Sequence, residues 1–249
     1  MGHAITIDGE TAPVGTAAEL VVVLNVLQGQ HDRTVLEQLA PNLAEIIDGP
    51  QGLHSALSIL TPEDQAYLIE TLGSRLVDCI QNSRALRDIL ATLAEGAVEE
   101  SLLRTLGQEG LQHLLATPET LAQVLEWVYG SRDRLALELL GPEFLRGLFR
   151  TGRELSLVLK ALNAESQDFV LDEIGWESVP PLVQDDMDLA YLLRALPTAL
   201  SKELLGHFTR EQLMTILRGG RDYAGIRRYL EAGELAHLDA LMGVNIDAE

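Results

Sequence analysis

The sequence predicts an all-α fold: a right-handed α-solenoid of about six 34-residue units, each of two to three short helices, with partial units capping both ends. Three observations carry that prediction. An apolar residue closes successive segments at Leu106, Leu140, Ile174, Phe208 and Met242, each 34 positions after the last. Further apolar columns recur at the same interval inside the segments, 3, 4 and 7 residues apart, as on one face of a helix. Helix-breaking residues recur midway through each segment. A fixed period of this length marks stacked supersecondary units that bury their apolar faces on their neighbours.

Taken in order, residues 1–15 alternate as Ile-Thr-Ile before Asp8-Gly9 and read as a short extended arm or a disordered tail. Leu20, Val23, Leu24 and Leu27 repeat the spacing of Leu53, Ala56, Leu57 and Leu60, so the array opens with a lone third helix near 16–28. Full units follow. Four and eight residues after the closing position come Leu111 and Leu115, Leu145 and Phe149, Val179 and Val183, Leu213 and Leu217. These define a short second helix. Next come the breakers Thr117-Pro118, Thr151-Gly152, Asp185-Asp186 and Gly219-Gly220, with Gly49-Pro50 and Asn82-Ser83 earlier.

The third helix carries the columns Leu121/Leu155/Leu189/Tyr223, Val124/Val158/Leu192/Ile226 and Val128/Leu162/Leu196/Leu230. In the third unit the three helices fall near 98–106, 109–116 and 119–129. Gly107, Gly141, Gly175 and Gly243 suit the left-handed residue just past a helix end, while Thr209 breaks that column and implies a different turn. Residues 234–242 start a seventh unit. The chain thus divides into the arm 1–15, a single helical-repeat domain 16–243 and a tail 244–249.

Composition narrows the function classes. No apolar run of 18 residues exists, so no membrane span is expected, and residues 1–15 lack the features of a signal peptide. With Cys79 as the single cysteine, no internal disulfide framework and no cysteine-rich zinc site is possible. A cytoplasmic protein is the plain reading. The net charge of −20 is uneven: residues 1–103 carry 15 acids against 4 bases, and residues 104–163 carry 7 of each. Such a field repels nucleic acid and anionic lipid over the first hundred residues and attracts a basic partner.

Polar columns are the candidate functional residues. Glu109, Glu143, Glu177 and Glu211, with Glu154, Asp188 and Asp222, lie in first turns of helices, where acids cap free amides. The basic columns are Arg150 with Arg218, Arg153 with Arg221, and Lys160 with Arg194 and Arg228. Equal positions in stacked units lie side by side, so these residues should form a ridge able to hold an anionic segment. Salt bridging to acids of adjoining units is the competing expectation. Trp176 opens a second helix, where core packing is the first expectation and an exposed partner-binding anchor the second, and His207 reads as a packing or turn residue. No phosphate loop, nucleophile elbow or metal-spaced His pair is present, so no catalytic residue, metal or cofactor is assigned.

On period and apolar pattern, Ala97–Gly130 and Ser131–Asn163 loosely resemble units of α-solenoid proteins in the broad HEAT and armadillo class. That resemblance implies a non-enzymatic surface for another macromolecule: a protein-binding scaffold, adaptor or regulator recognising its partner along a groove. The alternatives are nucleic-acid binding through the C-terminal basic ridge, or acidic mimicry of nucleic acid towards a basic partner.

Overall fold

The computed structural model describes residues 2–94, 96–128, 131–217 and 226–243. Among these described residues helix dominates, with one two-stranded sheet. The chain divides into two compact units, Met1–Ala116 with Trp127–Leu140, and Thr117–Glu126 with Gly141–Glu249.

The first unit opens with a hairpin of β1 (His3–Ile7) and β2 (Glu10–Val14), joined through Asp8 and Gly9 at φ 51° and 87°. Two left-handed residues in succession match the twist of a tight hairpin. The unit continues through α1 (Ala17–Leu27), α2 (Asp32–Leu39), α3 (Leu43–Ile46), α4 (Pro50–Leu57), α5 (Pro62–Leu72), α6 (Leu76–Ile80), α7 (Ser83–Leu90) and α8 (Ala97–Leu114), and takes in α10 (Ser131–Leu140). Gly107 breaks α8 at φ 61° and ψ −173°, so one run of helix turns where the sequence places a boundary between two. β2 packs on α1 and β1 on α2, while α4 bridges α1 and α7.

The second unit contains α9 (Pro118–Leu125), α11 (Pro142–Leu148), α12 (Gly152–Lys160), α13 (Ala164–Ile174), α14 (Asp186–Ala195), α15 (Thr198–Gly206), α16 (Arg210–Ile216) and α17 (Ala232–Met242). Between α13 and α14 the second helix is replaced by two 3-10 turns, Trp176–Ser178 and Pro180–Leu182. The pair Pro180-Pro181 removes the amides that an α-helix needs there. Thr209 has φ −73° and caps α16 through Gln212, so the chain turns there without a left-handed residue.

Apolar columns become cores. Leu111, Leu145, Leu155, Val158, Leu189, Leu192 and Leu213 are all buried, as are Phe149 and Val183. Tyr223, Arg218 and Arg221, the Gly219-Gly220 breaker, Asp222 and the tail 244–249 lie outside the described residues.

A second set of buried residues is polar. Asp32, Gln65, Glu99, Asp133, Gln167 and Ser201 recur 33 or 34 residues apart near the start of successive first helices, and all are buried. Gln65 Nε2 donates to the Leu57 carbonyl at 2.8 Å, Gln167 Nε2 to that of Leu159 at 2.8 Å, and Ser201 Oγ to that of Leu193 at 3.1 Å. In each case the acceptor lies eight residues back, in the last turn of a third helix. Gln167 also donates to the Ala195 carbonyl at 2.9 Å, and Gln65 Oε1 accepts from the Ala94 amide at 3.2 Å. One side chain thereby satisfies carbonyls that end two different helices.

Candidate functional site

The sequence-selected cations lie mainly around α12 and α14. Thr151 caps α12, accepting from the Glu154 amide at 3.2 Å, while Glu154 Oε2 accepts from the Arg150 amide at 2.7 Å. This reciprocal capping fixes the entry to the helix. Leu155, Val158 and Leu159 face the core, leaving Arg153, Leu157 and Lys160 as one exposed stripe at i, i+4 and i+7.

Asp185 caps α14, and Asp188 joins the two helices. Its Oδ1 accepts from the Arg153 amide at 3.2 Å and its Oδ2 from the Gln184 amide at 3.1 Å. Gly152 permits this approach: a Cβ there would meet Leu192 Cδ1 at 3.0 Å and Asp188 Cβ at 3.1 Å. The α14 stripe 34 residues on is Met187, Tyr191 and Arg194. Leu157 and Met187 are 37% and 41% exposed, so the surface is apolar as well as cationic.

The Tyr191 ring is the centre of the arrangement. Arg153 Cζ stands 5.4 Å from its centroid and Lys160 Nζ 5.3 Å. Two cations thus share one aromatic ring, attracted by its quadrupole. Among the described residues, neither cation makes an ion pair. On the neighbouring helix α9 the same positions are Glu119, Gln123 and Glu126, all exposed, so the cationic surface has an acidic border.

The remaining selected residues divide. Arg194 is exposed on the α14 stripe, and Arg150 is exposed before the α12 cap. Arg228 is exposed on the 3-10 turn Arg227–Tyr229 and is not brought to Tyr191. Trp176 offers no free anchor: it is 8% exposed, its Nε1 donates to Asp172 Oδ1 at 2.7 Å, and its ring stacks on His207 with centroids 5.4 Å apart. The ring has apolar bulk to bury and a near acceptor for its one donor, so the packing expectation describes it. Sequence reasoning did not single out Tyr191, Leu157 or Met187. Their signal was available: Leu157 and Tyr191 sit midway between two basic columns, and Met187 takes the Arg153/Arg221 position of its own segment.

Of the acidic columns, Glu154 and Asp188 accept the amides given above, while Glu143, Glu177 and Glu211 lie in the first turns of α11, the Trp176–Ser178 turn and α16. Cys79 is buried, with Sγ 3.2 Å from the Ile47 carbonyl, and desolvation followed by the nearby Asp78 charge pushes its thiol pKa up. That suppresses thiolate chemistry. Among the described residues no three His, Cys, Asp or Glu side chains converge as a metal site, and no helix is long and apolar enough to cross a membrane. No protein family, curated protein or solved structure matches the chain.

Proposed function

We propose that the protein is a non-enzymatic, cytoplasmic scaffold or adaptor that binds another protein. In this reading its 34-residue units stack as a right-handed α-solenoid of about six repeats. The α12–α14 surface receives an acidic segment of the partner that also carries apolar side chains. The observation that supports the reading is the pair of cations, Arg153 and Lys160, held over Tyr191 without an acid of their own. Structural cations are normally neutralised by local carboxylates, whereas cations set on an aromatic ring beside exposed Leu157 and Met187 suit an incoming carboxylate-rich, amphipathic chain. The glutamates of α9 would set the register by repelling its acidic end.

The test is fluorescence anisotropy with a labelled peptide of alternating Glu and Leu, alongside its Lys–Leu counterpart and a short single-stranded oligonucleotide. Binding of the Glu–Leu peptide alone, lost on reversing Arg153 and Lys160 to Glu, supports the reading. Preference for the oligonucleotide, with steep salt dependence, would move the surface to nucleic acid.

A further inference from the structure

The hairpin and α1 enclose a groove of about 570 Å³ in the first unit, lined by Ile5, Ile7, Thr11, Val22, Val26 and Leu27. Val22 and Val26 are 61% and 75% exposed, among the most open large apolar side chains of the described residues. Of the later third helices, α4 lies between α1 and α7, and α12 between α9 and α14. The described residues put only the two short strands before α1, and these leave Val22 and Val26 uncovered.

The strand edges of the hairpin are treated unequally. Its two-residue turn makes Ile7 and Glu10 the closing pair, so Thr6 and Thr11, one step on, point their backbone groups away from each other. On β1 those groups are satisfied: the Thr6 amide donates to Gln38 Oε1 at 2.8 Å, and Gln38 Nε2 donates to the Thr6 carbonyl at 3.0 Å. Gln38 thus occupies that edge as a third strand would. On β2, among the described residues, no hydrogen bond is made to the Thr11 amide or carbonyl, and β2 borders the groove. An edge with one free backbone pair beside an apolar helix face is the geometry of strand addition.

Charge selects the occupant. Asp8 and Glu10 rim the groove, and residues 1–31 contain three acids and no Lys or Arg. His31 stands 3.7 Å from Asp8, while Glu10 has no ion pair among the described residues. A second copy would bring like charges together, whereas a basic strand would neutralise them. We infer that this groove binds an extended basic–apolar segment of a partner protein. The segment adds to β2 through Thr11, sets alternate apolar side chains on Val22 and Val26, and presents its cations to Asp8 and Glu10.

The experiment is an amide NMR titration of the full chain with a terminally blocked peptide of alternating Val and Lys, and with its Val–Glu counterpart. The Val–Lys peptide should shift the Thr11 amide and those of α1. Affinity should fall about tenfold in Val26→Asp, a change at an exposed position whose fold is checked by circular dichroism, and about as much in Glu10→Lys. Equal binding by the Val–Glu peptide, unchanged affinity in both variants, or no binding at all would overturn the inference. So would a dimer in sedimentation that Val26→Asp dissociates, because the occupant would then be a second copy.

Discussion

Two tyrosines carry cations on their rings, and their surroundings differ. In the first unit Arg33 lies 4.1 Å from the Tyr67 centroid, donates from Nε to Asp64 Oδ1 at 3.0 Å and from Nη2 to the Glu63 carbonyl at 3.1 Å. Asp64 is itself tied to the cap residue Thr61. There the cation is answered, and it clasps α2 to α5. In the second unit Arg153 and Lys160 share Tyr191 with no carboxylate between them. The same ring–cation chemistry closes one surface and leaves the other charged. What distinguishes the clasp from the proposed binding face is therefore the acid beside the cation, not the aromatic ring.

The largest expected effect breaks the clasp. Asp64→Ala removes the ion pair and the acceptor for Thr61, and should cost about 2 kcal/mol, the pair being screened because Arg33 is 41% exposed. Urea unfolding measures this, and affinity for the Glu–Leu peptide should not change. The reverse holds for the double reversal Arg153→Glu and Lys160→Glu. It should weaken the peptide at least tenfold while moving stability by no more than about 0.5 kcal/mol, as exposed substitutions do.

A third prediction concerns Asp32, beside the clasp. It is buried with both carboxylate oxygens unpartnered, and desolvation, then the charge of Asp64, raises its pKa. The folded chain therefore holds this proton to higher pH than the unfolded chain does. Stability from this group is full below the ordinary carboxylate range and is lost as pH rises through the folded value. Asp32→Asn keeps the site neutral, so it should stabilise by about 1 kcal/mol at pH 7, a gain that shrinks towards pH 3. A gain independent of pH would show that the carboxylate is not the cause. The smallest effect is Tyr191→Leu, which keeps apolar bulk but removes the quadrupole. Peptide affinity should fall roughly threefold, in line with an exposed cation–π contact.

Much of this was legible in the sequence because the period is strict where side chains must interlock. Leu155 and Leu189 are buried at the same place in successive helices, and a polar residue there would leave an unpaired group in each core. The glycine column was legible for a backbone reason: Gly107, Gly141, Gly175 and Gly243 all have positive φ, which other residues adopt at a cost. Three features were not fully read. The buried column Asp32, Gln65, Glu99, Asp133, Gln167 and Ser201 keeps the spacing but changes residue type; at Gln65, Gln167 and Ser201 a helix-end carbonyl is met equally by an amide or a hydroxyl. Packing was one of two readings of Trp176, and its acceptor, Asp172, lies on the preceding helix, four residues back. The cationic face was visible as columns, but which cations meet depends on side-chain reach. Arg153 and Lys160 are seven residues apart on one helix and converge only because Tyr191 stands opposite them.

The most direct measurement follows peptide affinity and thermal midpoint together, in wild type and in Arg153→Glu/Lys160→Glu. Affinity for the Glu–Leu peptide should fall at least tenfold while the midpoint stays within about 2 °C, the shift expected of half a kilocalorie in a chain of this size. A midpoint that collapses with affinity, or a peptide that never binds the wild type, would make the α12–α14 cations structural and contradict the account.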